Sequence, residues 1–251
     1  MDLSNQKLLD NIQNSISEIV PKKKIGIAFS GGVDSTLVSK ICTDMDFDVV
    51  LLTIGFSESH DIVFSKEVNE CLNYSHHILE IDPETFPKIT SDIHKLIDTD
   101  NLSWNENCIA FHYVSKLAKT LNLDTVITGN GIDELFCGYN AYREAFLGGE
   151  NKINEVMNSK LDNELKMMKA VNVIASKFNV KILQPLLSSQ FIEYAKTVPI
   201  SEKIKGSDDL YRKHIIRKLA SEIGVPEISS NKRKKALQYG SKIHKSLLKI
   251  R

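Results

Sequence analysis

Between residues 24 and 128, short apolar runs alternate with stretches whose apolar residues recur every three or four positions. Strands joined through helices must lie parallel, and a parallel sheet has to be covered on both faces. The first run, residues 25–29, breaks at Ser30-Gly31-Gly32, and helical spacing resumes over 33–42. Further strands are expected at 47–56, 75–81 and 124–128, separated by helices at 61–72, 83–97 and 105–121. Residues 47–56 are apolar almost throughout, as burial on both faces requires. An amphipathic helix precedes the first strand, with Leu8, Ile12, Ile16 and Ile19 on one stripe. After residue 150 the pattern is helical alone, at 152–177, 188–197, 208–222 and 241–249. The expected fold is therefore α/β. Residues 22–147 form a parallel sheet with helices on both faces, and a mainly helical half, 150–251, packs on it within a single domain. Leu147-Gly148-Gly149 is the one candidate hinge.

No apolar stretch approaches the roughly 18–20 residues of a membrane span. Four cysteines lie far apart with no C-x-x-C pair, and the first residues carry no apolar signal segment. A soluble, cytoplasmic protein is the expectation. Net charge is zero but unevenly spread: residues 203–251 hold 14 Lys and Arg against 4 Asp and Glu, and the remainder 18 against 28. Such a basic tail calls for an anionic partner, which could be a nucleotide, a nucleic acid or the acidic half of the same chain.

The turn Ser30-Gly31-Gly32-Val33-Asp34-Ser35 stands where a strand hands over to a helix, at the sheet edge where open α/β folds bind ligands. Gly31 and Gly32 let backbone N–H groups approach a ligand, the helix N-terminus favours anions, and Ser30 and Ser35 add hydroxyl donors: a phosphate site. Asp34 would repel phosphate unless a cation intervenes, and Mg²⁺ is the usual remedy. The lysine of a Walker A loop is absent. His76-His77 and Trp104 read as packing residues, although Trp104, at the start of a helix, could cover a ligand.

This hexapeptide resembles the PP-loop of the ATP pyrophosphatase superfamily, enzymes that cleave ATP between its α and β phosphates. Thr128-Gly129-Asn130-Gly131-Ile132-Asp133-Glu134-Leu135-Phe136-Cys137-Gly138-Tyr139 resembles the S-G-E-G-x-D-E-x-F-x-G-Y segment of asparagine synthetases. Lys232-Arg233-Lys234-Lys235-Ala236-Leu237-Gln238-Tyr239-Gly240 resembles the lysine-centred segment that reaches the ATP site in that family. These segments, with Gln184-Pro185-Leu186-Leu187, recur in family order from about residue 24 to 245, and the last is closest in pattern to asparagine synthetase domain-containing proteins lacking a glutaminase domain. The resemblance implies that Ser30, Gly31, Gly32, Asp34 and Ser35 hold the phosphates of ATP and that Asp34 and Asp133 share Mg²⁺. It also implies that Lys234 offsets charge at the α-phosphate, and that Ile54, Gly55 and Gly129 border the adenine. Read alone, Asp133-Glu134 is equally a helix-capping pair, residues 232–235 a solvated charge run, and Ile54 a core residue.

Three family positions differ. The acidic residue of the family's G-E-G turn, which resembles a catalytic base, is Asn130; a further Glu aligns with Lys181 and an Asp with Ser188. Asn cannot take a proton at neutral pH. The PP-loop begins only at Ser30, so the family's glutaminase domain is not expected ahead of it. The resemblance thus implies an AMP-forming carbon–nitrogen ligase acting on a carboxylate, aspartate in the family. Ammonia would come from solution or from a separate glutaminase subunit. A tRNA-modifying PP-loop enzyme and a non-catalytic nucleotide-binding partner of an amidotransferase are the alternatives.

Overall fold

A computed structural model of the chain describes residues 1–21, 23–232 and 237–250. Five strands, β1 (Lys24–Ala28), β2 (Asp48–Gly55), β3 (Ser75–Glu80), β4 (Thr125–Ile127) and β5 (Lys181–Leu183), form one parallel sheet in the order β3-β2-β1-β4-β5. Ile27 pairs with Leu51 of β2 and Gly26 with Val126 of β4. Before β4 come α1 (Leu3–Ile19), α2 (Val33–Asp44), α3 (His60–Leu72), α4 (Phe86–Ile97) and α5 (Leu102–Thr120). After it follow α6 (Ile132–Leu135), α7 (Ala141–Phe146), α8 (Gly149–Ser176), α9 (Ser189–Thr197) and α10 (Ile200–Lys203). The last are α11 (His214–Glu222), α12 (Glu227–Ser230), α13 (Leu237–Gly240) and α14 (Ile243–Ile250).

Local chemistry accounts for these elements. Asp2 caps α1 by accepting the Asn5 N–H at 2.9 Å. Leu8, Ile12 and Ile16, four apart, lie fully buried toward α9 and α11. In β2 everything after Asp48 is buried, as befits an inner strand, whereas β3 at the sheet edge is only half covered. The chain steps outward from β1 to β2 to β3, then returns to place β4 on the other side of β1. Right-handed crossovers consequently put α2 and α3 on one face of the sheet and α5 and α8 on the other.

Two departures from the sequence pattern bear on function. The strand β5 is unannounced, because three residues flanked by Asn179 and Gln184 offer no measurable period. The helix expected over 208–222 begins only at His214, and residues 208–213 form an irregular turn instead. The glycines of the candidate hinge sit between α7 and α8, with Gly149 at φ 77° opening α8. Along α8 one stripe of buried positions runs Ile153, Met157, Leu161, Glu164, Met168, Val171, Ala175, with Met167 and Ile174 buried beside it, so a carboxylate occupies one place in an apolar stripe. Among the described residues, no helix is long and apolar enough to cross a membrane.

Candidate functional site

The carboxyl ends of β1 and β4 part where the strand order reverses, and a cleft of about 240 Å³ opens there. Ser30, Asp34 and Ser35 form one side, and Gly129, Asn130 and Asp133 the next. Leu52, Ile54, Phe111 and Val114 make an apolar wall, and α8 supplies Lys160 and Glu164 opposite the loop.

The β1–α2 turn is built for an anion. Gly31 adopts φ 76°, open to glycine at no steric cost, and the first turn of α2 presents its backbone N–H groups. The Ser30 and Ser35 hydroxyls lie 3.5 Å apart, and Ser35 Oγ also accepts the Ser30 N–H at 3.3 Å. From beneath, the buried Ser229 hydroxyl of α12 lies 2.8 Å from Gly31 O and 2.9 Å from Thr36 Oγ1, tying the turn to a segment nearly 200 residues away.

Asp34 and Asp133 do come together, and a cation stands between them: Lys213. Its Nζ lies 2.6 Å from Asp34 Oδ2, 2.9 Å from Asp34 Oδ1 and 2.6 Å from Asp133 Oδ1, with the lysine side chain 2% exposed. Burial opposes the ammonium charge, but the Asp133 and Asp34 carboxylates outweigh it and hold the lysine above its usual range. The irregular turn at 208–213 exists to deliver this group. Arg212 and Lys213 take φ values of 45° and 54°, and Asp209 Oδ1 accepts the N–H groups of Tyr211 and Arg212, each at 3.0 Å. Although burial works against the Asp209 charge, the Arg212 and Lys205 N–H groups and the His214 ring hold this carboxyl far below the ordinary range. Arg217 Nε donates to Tyr211 O and Arg212 O at 3.0 Å, and Arg212 Nη2 reaches Gly138 O at 3.1 Å.

Two glycines make room for this arrangement. A Cβ on Gly138 would stand 1.8 Å from Asp133 Oδ1 and 2.6 Å from Lys213 Cε, and one on Gly129 would stand 3.1 Å from Asp34 Cβ. With Lys213 counted, the two aspartates keep one net negative charge, and their side chains remain 23% and 20% exposed. Two carboxylates at an open edge fit Mg²⁺, which takes one or two protein oxygens and completes its shell with water and phosphate. Among the described residues, no group of three or more His, Cys, Asp or Glu could hold a metal.

Beside this pair, Glu134 caps α6: its Oε2 accepts the Gly131 N–H at 3.0 Å and its Oε1 the Tyr139 hydroxyl. Burial, then the neighbouring Glu134 carboxylate, pushes the Tyr139 hydroxyl well above its usual value. Asn130 Nδ2 donates to Glu164 Oε1 at 2.6 Å. At the rim, the half-buried Trp104 donates from Nε1 to Asn163 Oδ1 at 3.0 Å. His76 packs edge-on against Phe29 and bonds Thr53 Oγ1 at 2.8 Å, away from the cleft lining.

Of the residues singled out from sequence, Ser30, Asp34, Ser35, Ile54, Gly129 and Asp133 line the cleft. Gly31 and Gly32 shape its turn without lining it, and Gly55 faces Ser59 and the Ser241 backbone instead. Lys234 lies outside the described residues, but both flanks of its segment are fixed. Ser229 grips the turn, while Leu237 and Gln238 line the cleft and Ser241 O accepts the Phe56 N–H at 3.0 Å. Of the three altered acidic positions, only Asn130 reaches the cleft. Lys181 starts β5 at the opposite edge of the sheet, and Ser188 caps α9 and bonds Ser15 of α1. Part of the basic tail finds its anions within the chain, in Lys213 with Asp34 and Asp133 and in Lys218 with Asp2. Lys213, Ser229 and Glu164 went unmarked by sequence. Only Glu164 left a signal, its place in the apolar stripe of α8.

Comparison with known proteins agrees with this geometry. A protein from Methanocaldococcus jannaschii, provisionally named a glutamine-hydrolysing asparagine synthetase, is 28% identical over 261 residues, covering 90% of this chain and 47% of that protein. Glutamine-hydrolysing asparagine synthetase B of Escherichia coli is 23% identical over 226 residues, covering 84% of this chain and 40% of its own. The chain therefore spans about half or less of the length of these relatives. The solved structure of NMN synthetase from Francisella tularensis has the same fold, with a TM-score of 0.52 at 16% identity over 95% of this chain and 78% of that one. The family model for asparagine synthase matches residues 7–177, more than half of the sequence, and the chain belongs to that family.

Proposed function

We propose that this chain is an ATP-dependent, AMP-forming ligase that activates a carboxylate and transfers ammonia or an amine to it. The observation that carries the reading is the Ser30–Ser35 turn standing beside Asp133 in a cleft with an apolar wall, with Lys213 joining Asp34 of the turn to Asp133. The triphosphate of ATP, a substrate here, would rest on the turn N–H groups and the Ser30 and Ser35 hydroxyls, and the adenine against Leu52 and Ile54. Asp34 and Asp133 would hold Mg²⁺, which when bound supplies positive charge to the phosphate oxygens. Lys213 fixes both carboxylates so that neither has to reorganise when the phosphates arrive. A carboxylate oxygen of the acceptor attacks the α-phosphorus, pyrophosphate leaves, and an amine then displaces AMP. Lys234 is assigned to the charge that develops at the α-phosphate. Aspartate and ammonia, delivered free or by a separate glutaminase, are the first pair to try.

The test is incubation of the pure protein with α-labelled ATP, Mg²⁺, ammonium and each amino acid in turn. Release of AMP with pyrophosphate that depends on one amino acid, and is lost in Asp34→Ala, is the expected result. Release of ADP with phosphate, or turnover unchanged in Asp34→Ala, would sink the proposal.

A further inference from the structure

The helix α5 works on two faces. Ser103, Asn107, Phe111 and Val114, spaced four, four and three apart, put one stripe into the cleft. Glu106, just outside that stripe, is 3% exposed. A carboxylate so far from water costs free energy unless a partner meets it, and His244 of α14 does, its Nδ1 bonding Glu106 Oε1. The His244 ring packs in turn on Tyr239, with centroids 4.6 Å apart. Residues 237–244 thus form a tight strap beside the carboxyl end of β2. Ser241 donates to Leu237 O from its N–H at 2.9 Å and from its hydroxyl at 2.7 Å, and Lys242 Nζ donates to Ser57 O at 3.0 Å. A Cβ on Gly240 would stand 1.9 Å from Asp61 Oδ1, so the strap also lies hard against α3.

Leu237 and Gln238, at the near end of this strap, line the same cleft as Leu52 and Ile54. Gln238 is half-buried, and among the described residues its amide has no hydrogen-bond partner. A primary amide offers a donor and an acceptor side by side, the pattern that pairs with the amino group and a ring nitrogen of adenine. Resting on the ATP site of the ligase reading above, we infer that Gln238 reads the edge of the nucleobase, and that Glu106 and His244 are the positioning pair that holds it there. The helix α5 supplies apolar wall through Phe111 and Val114 and seats the strap through Glu106, so one helix sets the gap that a planar base enters. The ligand selected is a purine triphosphate that carries an exocyclic amine.

The experiment measures equilibrium binding to the full chain by calorimetry in the presence of Mg²⁺. The probes are ATP, purine riboside triphosphate, which lacks the exocyclic amine, and inorganic tripolyphosphate, which lacks base and sugar. In Gln238→Ala, ATP affinity should fall roughly tenfold, to that of purine riboside triphosphate, with tripolyphosphate binding unchanged. His244→Ala should weaken ATP by a similar factor and spare tripolyphosphate. His244→Asn, which returns an N–H near the position of Nδ1, should recover most of the loss. Unchanged ATP affinity in Gln238→Ala, or equal weakening of ATP and tripolyphosphate in His244→Ala, would overturn the inference. A wild-type protein that binds ATP no better than purine riboside triphosphate would overturn it too, while leaving the ligase reading in place. One that binds neither ATP nor tripolyphosphate would overturn the ligase reading, and this proposal with it.

Discussion

Lys213 and Asp34 are 179 residues apart in sequence, yet the lysine Nζ lies within 2.9 Å of both carboxylate oxygens of that aspartate, and 2.6 Å from Asp133 as well. One buried ammonium thereby sets the distance between the two aspartates at the mouth of the cleft. Replacing it with an uncharged residue removes the buried cation that sits between two carboxylates. Lys213→Met should lower stability by about 3 kcal/mol, measured by urea unfolding, and abolish pyrophosphate release. Adding Asp34→Asn should recover part of the stability and none of the activity.

Ser229 makes a different kind of connection, holding the underside of the phosphate turn through Gly31 O and Thr36 Oγ1. Ser229→Ala leaves the buried Gly31 carbonyl without this donor, which costs about 1–2 kcal/mol. The expected kinetic signature is a raised KM for ATP with a smaller change in kcat, because the turn loosens before the chemistry is touched.

Gly138 and Gly149 form an internal comparison. A methyl at Gly138 would intrude on Asp133 and Lys213, whereas one at Gly149 meets nothing within 4 Å and strains only its φ of 77°. Gly138→Ala should cost at least about 2 kcal/mol and remove activity. Gly149→Ala should cost about 1 kcal/mol and leave turnover intact. Thermal melts and AMP release on both variants check this.

His76 and His112 are each pushed down to about 4, in both cases chiefly by burial. Between pH 4 and 6.5 both stay neutral when folded and become protonated when unfolded, so the unfolded state binds more protons and stability rises with pH. Near pH 5.3 each contributes a slope of at most about 1 kcal/mol per pH unit, lessened by the solvent that still reaches both rings. Urea midpoints measured from pH 5 to 7 should show this rise, and His76→Gln with His112→Gln should flatten it.

The α/β core could be read from residues 24–128 because buried parallel strands and amphipathic helices carry their periods within a single window of sequence. Ser30, Asp34, Ile54 and Asp133 were equally accessible, since each stands at the end of a strand beside a turn signal. The rest depends on pairings that no window spans. Lys213 looks like any other lysine of a basic tail until Asp209 and Arg217 hold its backbone in a left-handed turn, and that turn breaks the helix expected there. Adjacency to a family segment likewise does not say which residues face the cleft: Lys181 opens β5 and Ser188 caps α9, both away from its lining. Glu164 announces itself only as a charge out of place on α8.

The grip of Ser229 on Gly31 has a consequence for how the protein is made. During synthesis the phosphate turn emerges with the first strand, long before its latch exists. A nascent chain halted ahead of α12 would carry the whole sheet and both aspartates, yet its turn would lack this fastening. The fastening of this turn therefore waits on a segment translated nearly 200 residues after it, and the turn stays unlatched through most of the synthesis of the sheet.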